Sequence, residues 1–451
     1  MNPELQRNLW LEASPFRLAL IAGLLLLVFA ASSVAPAGLG TTAGAALALY
    51  WFFAVLWGTR SAALSVVAEI RERTWDGQKL SSIGPWDMML GKLFGATAAN
   101  WFGALLCLPF ILVPAAEREG PVSALIYGVI LLALGVFAQT VALLSSLVLI
   151  RRNSGNWRLD AFLCQVAGIA AAFSYYSLWS SISAFERSGT RSMSWWGHDF
   201  NLGRFHLVSL LLFLAWALIG CWRAMRAELR FANGPFVWLA YLFYLAVYSA
   251  GFESWISHRV NMSINLEGIP SKLALASVTL LASTYSMVFL EPKDPVRLRW
   301  LGEQLRAGRV TKAFLTLDCW MLSYAAAMAV GLLLALVLAG SSMGLALMVL
   351  AVLGFLTRDV ALFVLGRTIA GERGDFAALA LLGALYLLLP MILSGLNLRG
   401  LDFIFLPIAP VALAVLAAWA QAAAAVTFAL RRVAINRPAW QARQATPNKA
   451  G

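Results

Sequence analysis

The sequence predicts an all-α fold, a polytopic transmembrane helical bundle of about 12 spans with both termini cytoplasmic. Three observations predict it. The chain is 61% hydrophobic and only 12% charged, with a mean hydropathy of +0.77, and a soluble domain carries roughly twice that share of charge. Apolar runs of roughly 18 residues or more, each long enough to cross a bilayer as a helix, recur along the whole length. The basic residues gather in alternate loops between those runs, as they do in proteins whose cytoplasmic loops attract Lys and Arg.

The runs fall at residues 16–34, 42–58, 92–114, 122–150, 161–180, 205–222, 235–252, 272–290, 314–339, 344–366, 376–395 and 403–430. The first carries no small-residue cleavage site and reads as an uncleaved span. The fourth is long enough to tilt or to extend beyond the membrane. With residue 1 placed inside, 27 of the 34 Lys and Arg residues fall on the cytoplasmic side. This accounts for the net charge of +12 without a nucleic-acid partner.

Two inner loops are long. The first, residues 59–95, holds Glu69, Arg71, Glu72, Arg73, Asp76 and Lys79 within a dozen positions. In it Leu64, Val67 and Ile70 share one helical face, and Pro85 is placed to open the next helix with Asp87 in its first turn. The second, residues 291–313, follows Pro292 and Pro295. There Val296, Trp300, Leu301 and Leu305 recur at helical spacing among Arg297, Arg299, Glu303 and Arg306, the pattern of an amphipathic surface helix. A shift of 225 residues sets Trp75, Gly77 and Leu80 over Trp300, Gly302 and Leu305, and the third and fourth spans over the ninth and tenth. A duplication of six plus six spans is therefore expected. The corresponding divisions are a first half at 1–230, a second at 231–430 and a basic cytoplasmic tail at 431–451.

Candidate chemistry is sparse. Gly84 to Gly91-Lys92 is the nearest approach to a phosphate-cradling loop, but its spacing is one residue too long and Leu93 stands where Ser or Thr would bind magnesium. His198, His206 and His258 have no metal-ligand spacing, and the four cysteines lie in or beside apolar runs. No hydrolase elbow is present. Asn261-Met262-Ser263 fits a glycosylation sequon, and Trp195-Trp196 reads as part of an outer aromatic belt. The polar residues within runs are Asn100, Gln139, Gln165, Asp318, Arg358, Asp359 and Gln421. Ionisable groups there are expensive and so are candidates for function. Arg358 and Asp359 are neighbours in sequence and are not expected to face each other on a helix, which suggests that the tenth span ends near Leu356 or opens onto an inner cavity.

The loop at 59–95 resembles that of one family, the membrane subunits of type-2 ABC exporters. The residues that carry the resemblance are Glu69, Glu72, Arg73, Thr74, Leu80, Ser81, Pro85, Gly91, Lys92 and Leu93. It implies that Glu69 through Lys79 form a coupling helix that docks in a cleft of a partner ATPase. Arg73 replaces the family's usual Gly before Thr74, and about twelve spans exceed its customary six. The docking residues implied are Glu69, Arg71, Glu72, Arg73, Thr74, Asp76 and Lys79, with Trp300 and Glu303 added from the second loop. The expectation is thus an ABC permease in a bacterial inner membrane, a homodimer or pseudo-dimer, with no catalytic residue, metal or cofactor of its own. ATP and magnesium would sit on a separate cytoplasmic ABC ATPase. An ion-coupled secondary transporter and a membrane-embedded lipid-modifying enzyme stay open as alternatives.

Overall fold

The structure, a computed structural model, describes residues 2–34, 39–150, 157–185, 192–253, 268–407 and 409–435. His258, the 261–263 sequon and the tail beyond residue 435 lie outside the described residues. Proline and polar caps start many of the helices. Pro3, Pro15, Pro85, Pro121 and Pro295 each occupy a first helical position, where no amide hydrogen bond is lost. Asn2, Ser14, Asn201 and Asp294 accept hydrogen bonds from the first free amides of their helices.

The helices in order are α1 Pro3–Glu12, α2 Pro15–Ser33, α3 Thr42–Arg71, α4 Trp75–Lys79, α5 Pro85–Leu90, α6 Ala98–Glu119, α7 Pro121–Ile150, α8 Trp157–Phe185 and α9 Leu202–Glu228. They continue as α10 Phe236–Ala250, α11 Ile269–Leu290, α12 Pro295–Arg306, α13 Val310–Leu315, α14 Cys319–Ala339, α15 Met343–Ala370, α16 Gly374–Gly395 and α17 Ala412–Ile435. Among the described residues, eleven helices are long and apolar enough to cross a membrane. The chain is a polytopic α-helical membrane protein.

The expected seventh span is the exception. α10 has 15 residues, a rise of about 22 Å against a hydrocarbon core of about 30 Å. The indole of Trp195 donates to the Tyr248 carbonyl (3.1 Å) and that of Trp196 to the Val247 carbonyl (3.2 Å), near the C-terminal end of this short helix.

Other boundaries move for identifiable reasons. The second span does not stop at residue 58 but runs unbroken to Arg71. The third begins at Ala98 rather than 92, because Gly91–Gly95 forms a π-helical turn of its own. The ninth begins at Cys319, after the separate helix α13. The tenth does not end near Leu356; α15 continues to Ala370. The last begins at Ala412 rather than 403, since Pro407 and Pro410 cannot donate to a helical ladder.

The chain divides into two compact units, residues 1–193 with 199–233, and residues 194–198 with 234–451. Unit 1 holds α1 to α9, and unit 2 holds α10 to α17.

Candidate partner-docking loop

The loop that the resemblance singles out lies in unit 1, and its base grows directly from α3. Within α3, residues Trp51–Trp57 take a π-helical winding, which changes the carbonyl pairing locally. Side chains from other helices of the unit meet those carbonyls. Gln139 donates to the Ala54 carbonyl (2.8 Å) and Gln165 to that of Leu56 (3.0 Å). Trp101 holds Gln139 in place by donating to its amide oxygen (2.9 Å), and Asn100 donates to Ser61 (2.8 Å). Three polar residues legible as candidates for chemistry thus join α6, α7 and α8 to α3.

Past Gly58 the helix buries Ala62, Ala63, Val66 and Val67. Of the Leu64–Val67–Ile70 face expected from the sequence, Val67 is buried, Leu64 is half-buried and Ile70 is exposed. The buried face packs with Trp75, Met88, Met89 and Leu93 of the loop against Leu143 and Leu147 of α7, Cys164 of α8 and Met225 of α9.

α3 ends in a Schellman motif. Thr74 N donates to the Glu69 carbonyl (2.9 Å) and Arg73 N to that of Ile70 (3.1 Å), with Arg73 at φ 58°. This left-handed position is the one where the resembled family usually carries Gly. The departure therefore places a Cβ where glycine avoids strain.

Beneath the turn lies an ionic cluster, buried at Lys92 and Glu4 and open to solvent at Arg7. Lys92, at the start of the π-turn, is fully buried. Its ammonium donates to Glu4 (3.2 Å), Gln78 (3.0 Å), the Ser65 carbonyl (3.4 Å) and Glu69. It also faces the Trp75 ring at 5.1 Å. Arg7 bridges Glu4 (3.0 Å) and Glu69 (2.5 Å), and Gln78 donates to Glu69 (2.6 Å). Two cations and two carboxylates leave the cluster neutral, the condition under which charges tolerate burial.

The cluster exists because α1 lies directly on the π-turn. A Cβ at Gly91 would stand 2.6 Å from Glu4 Cγ, and one at Gly95 would stand 2.6 Å from Asn8 Cβ. The two glycines, four residues apart, form the groove that admits this helix. Asn8 donates to Glu4 (3.0 Å) and to the Gly91 carbonyl (3.3 Å), while Asn2 donates to the Asp87 carbonyl (2.6 Å).

The expected docking residues accordingly separate into roles. Glu69 belongs to the buried base. Arg71 stacks over the Trp157 ring at 4.3 Å, and Lys79 pairs with Asp76 (3.5 Å) and with Glu228 of α9 (3.6 Å). Glu72, Arg73, Thr74 and Asp76 are exposed. Leu80, at the tip just after α4, is 89% exposed. Trp300 and Glu303 sit in unit 2, on α12, a helix with no buried residue. The 225-residue register equates the buried Trp75 with the part-exposed Trp300, so these two residues have different settings.

Glu4, Arg7 and Gln78 did not stand out in the sequence, and Lys92 stood there among the residues that carry the resemblance, with no role of its own. The one available signal was a lysine opening an apolar run within Gly91-Lys92-Leu93.

The 291–313 loop of unit 2 has its own ion pairs. Lys293 and Asp375, both buried, meet at 2.8 Å, and Glu291 accepts from the Trp320 amide (2.9 Å). Asp318, at the N-cap of α14, pairs with Arg297 (2.8 Å). Burial pushes its carboxyl up to about 6 against the opposing pull of Arg297. Among the described residues no group of three or more His, Cys, Asp or Glu side chains is placed to hold a metal ion.

Comparison with protein-family models, curated proteins and solved structures found no match for this chain.

Proposed function

We propose that the chain is the permease of an ATP-driven transporter of the type-2 ABC exporter kind, moved by a separate cytoplasmic ATPase that binds ATP and magnesium. The observation that carries this reading is the division of the 59–95 loop into a locked base and a presented tip. Its base is held by the Lys92 cluster. Its tip offers Glu72, Arg73, Thr74, Asp76 and the apolar Leu80 to water. A leucine 89% exposed beside a short helix outside the membrane fits an anchor for a partner's cleft.

In this reading α3 is the lever. It runs as one helix from the loop into the membrane, so a push on the tip moves the span as a rigid body. ATP would drive the cycle by binding one state of the partner better than the other. The loop lies on the cytoplasmic face of a bacterial inner membrane, both termini are cytoplasmic, and the two units are the halves of a duplicated pseudo-dimer.

The test spares the buried cluster. Glu72→Ala combined with Leu80→Asp should reduce co-purification of the ATPase subunit at least tenfold while leaving the thermal stability of the purified permease unchanged. Undiminished complex formation would remove the docking assignment.

A further inference from the structure

Deep within the spans of unit 2 the charges are matched. Arg358 of α15, 2% exposed, donates to Asp359 (2.9 Å) and to Gln421 of α17 (2.8 Å). The long side chain folds back to the adjacent carboxylate, which corrects the expectation that these neighbours would not face each other. Tyr285 of α11 (2.8 Å) and Tyr386 of α16 (2.7 Å) donate to the other oxygen of Asp359.

At one end of the unit the charges are not matched. The Lys293–Asp375 pair ties the 291–313 loop to the first turn of α16 there. Leu298 of α12 packs on the cluster that holds Val288 of α11 and Val433 of α17. The described residues at this end, 291–318, 367–375 and 431–432, carry ten Lys and Arg against six Asp and Glu, an excess of four cations. The opposite end of the unit carries two of each among its described residues, Lys272 and Arg399 against Glu253 and Asp402. Arg306, Arg309, Lys312, Arg373, Arg431 and Arg432 are exposed, and among the described residues none of these six side chains meets a carboxylate.

Three of the six stand on and between α12 and α13 among exposed apolar side chains. Leu305 (51%), Val310 (62%) and Leu315 (42%) are open to solvent and interleave with Arg306, Arg309 and Lys312. The fold fixes this arrangement. α12 closes in a Schellman motif with Gly308 at φ 70°, Gly308 N donating to the Leu305 carbonyl (3.1 Å) and Arg309 N to that of Gln304 (2.9 Å). α13 then turns back, and Arg297 in the first turn of α12 donates to the Thr316 carbonyl just past its far end (2.8 Å). Both ends of this hairpin are tied short to spans, α11 ending at Leu290 and α14 beginning at Cys319. The chain from Leu315 to Cys319 reaches at most about 14 Å, so Leu315 stands within reach of the headgroup layer that borders α14.

We infer that the α12–α13 hairpin binds anionic phospholipid at the membrane surface. Arg306, Arg309 and Lys312 meet the phosphates, and Leu305, Val310 and Leu315 enter the border of the acyl chains, as in other interfacial segments. The charge excess selects an anionic headgroup over a zwitterionic one, which would leave that excess uncompensated. The short tethers favour the lipid layer over a soluble protein, whose docking loop must stand clear of the membrane. The inference does not rest on the reading of the unit 1 loop.

The probes are dioleoylphosphatidylglycerol and dioleoylphosphatidylcholine, each titrated into the purified full chain in neutral detergent, with bound lipid counted by native mass spectrometry. Wild type should bind the anionic lipid at least tenfold more tightly, and about 0.5 M salt should erase the difference. Each cation near an anionic surface is worth about a fivefold gain in affinity. Arg306→Gln/Arg309→Gln/Lys312→Gln should therefore weaken the tightest anionic site at least tenfold. Arg118→Gln/Arg204→Gln, which removes two exposed cations of unit 1, should leave it unchanged. Thermal melts in phosphatidylcholine nanodiscs check that the triple variant is folded; should it not be, Arg309→Gln decides alone, with about a fivefold loss. No preference in wild type, unchanged affinity in the triple variant, or an equal loss in the unit 1 variant would overturn the inference. Retained lipid preference with weakened binding of the ATPase subunit would overturn it too and give this surface to that protein.

Discussion

Replacing Lys92 with Met tests whether the cluster under the loop acts as one unit. The substitution keeps the length of the side chain and removes its charge, so the cluster passes from neutral to a net charge of −1 around Arg7, Glu4 and Glu69. At 3.2 Å from Glu4, the lost attraction is about 5 kcal/mol at an effective dielectric of about 20. Breaking a buried pair by removing one partner costs about 3–5 kcal/mol. Arg7 still serves both carboxylates, which sets the expectation at the lower end, about 3 kcal/mol. Glu69→Gln alone leaves an excess positive charge and should cost about 2 kcal/mol. The double variant is neutral again, and Gln can still accept from Arg7 and Gln78. It should lose only about 2 kcal/mol in total, leaving a coupling near 3 kcal/mol. The assay is reversible unfolding of the purified protein in mixed micelles by SDS, followed by far-UV circular dichroism. Losses in the singles that add to within about 0.5 kcal/mol would show that Lys92 and Glu69 are independent and would refute the cluster as a unit.

Two further outcomes follow from the loops. Arg73→Gly should stabilise the protein by about 1 kcal/mol in the same assay, because φ at this position is 58° and glycine carries no Cβ penalty there; a loss of stability would mean that the Arg73 side chain contributes more than the strain costs. Asp318 is the pH-sensitive group of the unit 2 loop. Its carboxyl is raised to about 6 in the folded chain, so between about pH 4, its unfolded value, and pH 6 the folded state binds more protons than the unfolded one. Stability from this group is therefore greatest at low pH and falls as pH rises through that window. Thermal melts at pH 4, 5, 6 and 7.5 should show wild type losing ground steadily to Asp318→Asn, with the gap constant above pH 7. A gap independent of pH would refute the assignment.

Eleven of the twelve expected spans were legible because length and apolarity alone define them, while the seventh run corresponds to a helix of 15 residues. Their ends were less so, for local reasons. The apolar character of residues 403–411 conceals Pro407 and Pro410, and that of 92–97 conceals a π-turn shaped by contact with α1. The loop's position and its charge were plain, but its inner workings were not. Lys92 meets Glu4 across 88 residues of sequence, and no local spacing reports such a contact. Nor does periodicity tell which face of α3 is packed when the buried stripe is built from small residues such as Ala62 and Ala63. Exposed Glu72 and half-buried Glu69 look alike in a sequence. Only the fold separates an acidic residue that anchors the loop from one that is free to meet a partner.

Two of the buried cations among the described residues, Lys92 and Arg358, show why burial alone does not identify a functional site. Lys92 has three donors and four acceptors around it, and its charge is matched inside a neutral group of four. Such a residue has nothing left to bind, and its role is to fix α1, α3 and the π-turn in one geometry. Arg358 is equally buried and is neutralised by Asp359, yet its rigid fork directs its N–H groups in several fixed directions, and one nitrogen finds no acceptor among the described residues. An ammonium rotates to suit its neighbours; a guanidinium cannot. A buried polar atom left unmade costs about 1–3 kcal/mol, and Asp402 adds a second orphan near the same chain of hydrogen bonds. A site built only to hold helices together would gain by losing both. An ordered water, where there is room and polar partners for it, would complete either atom.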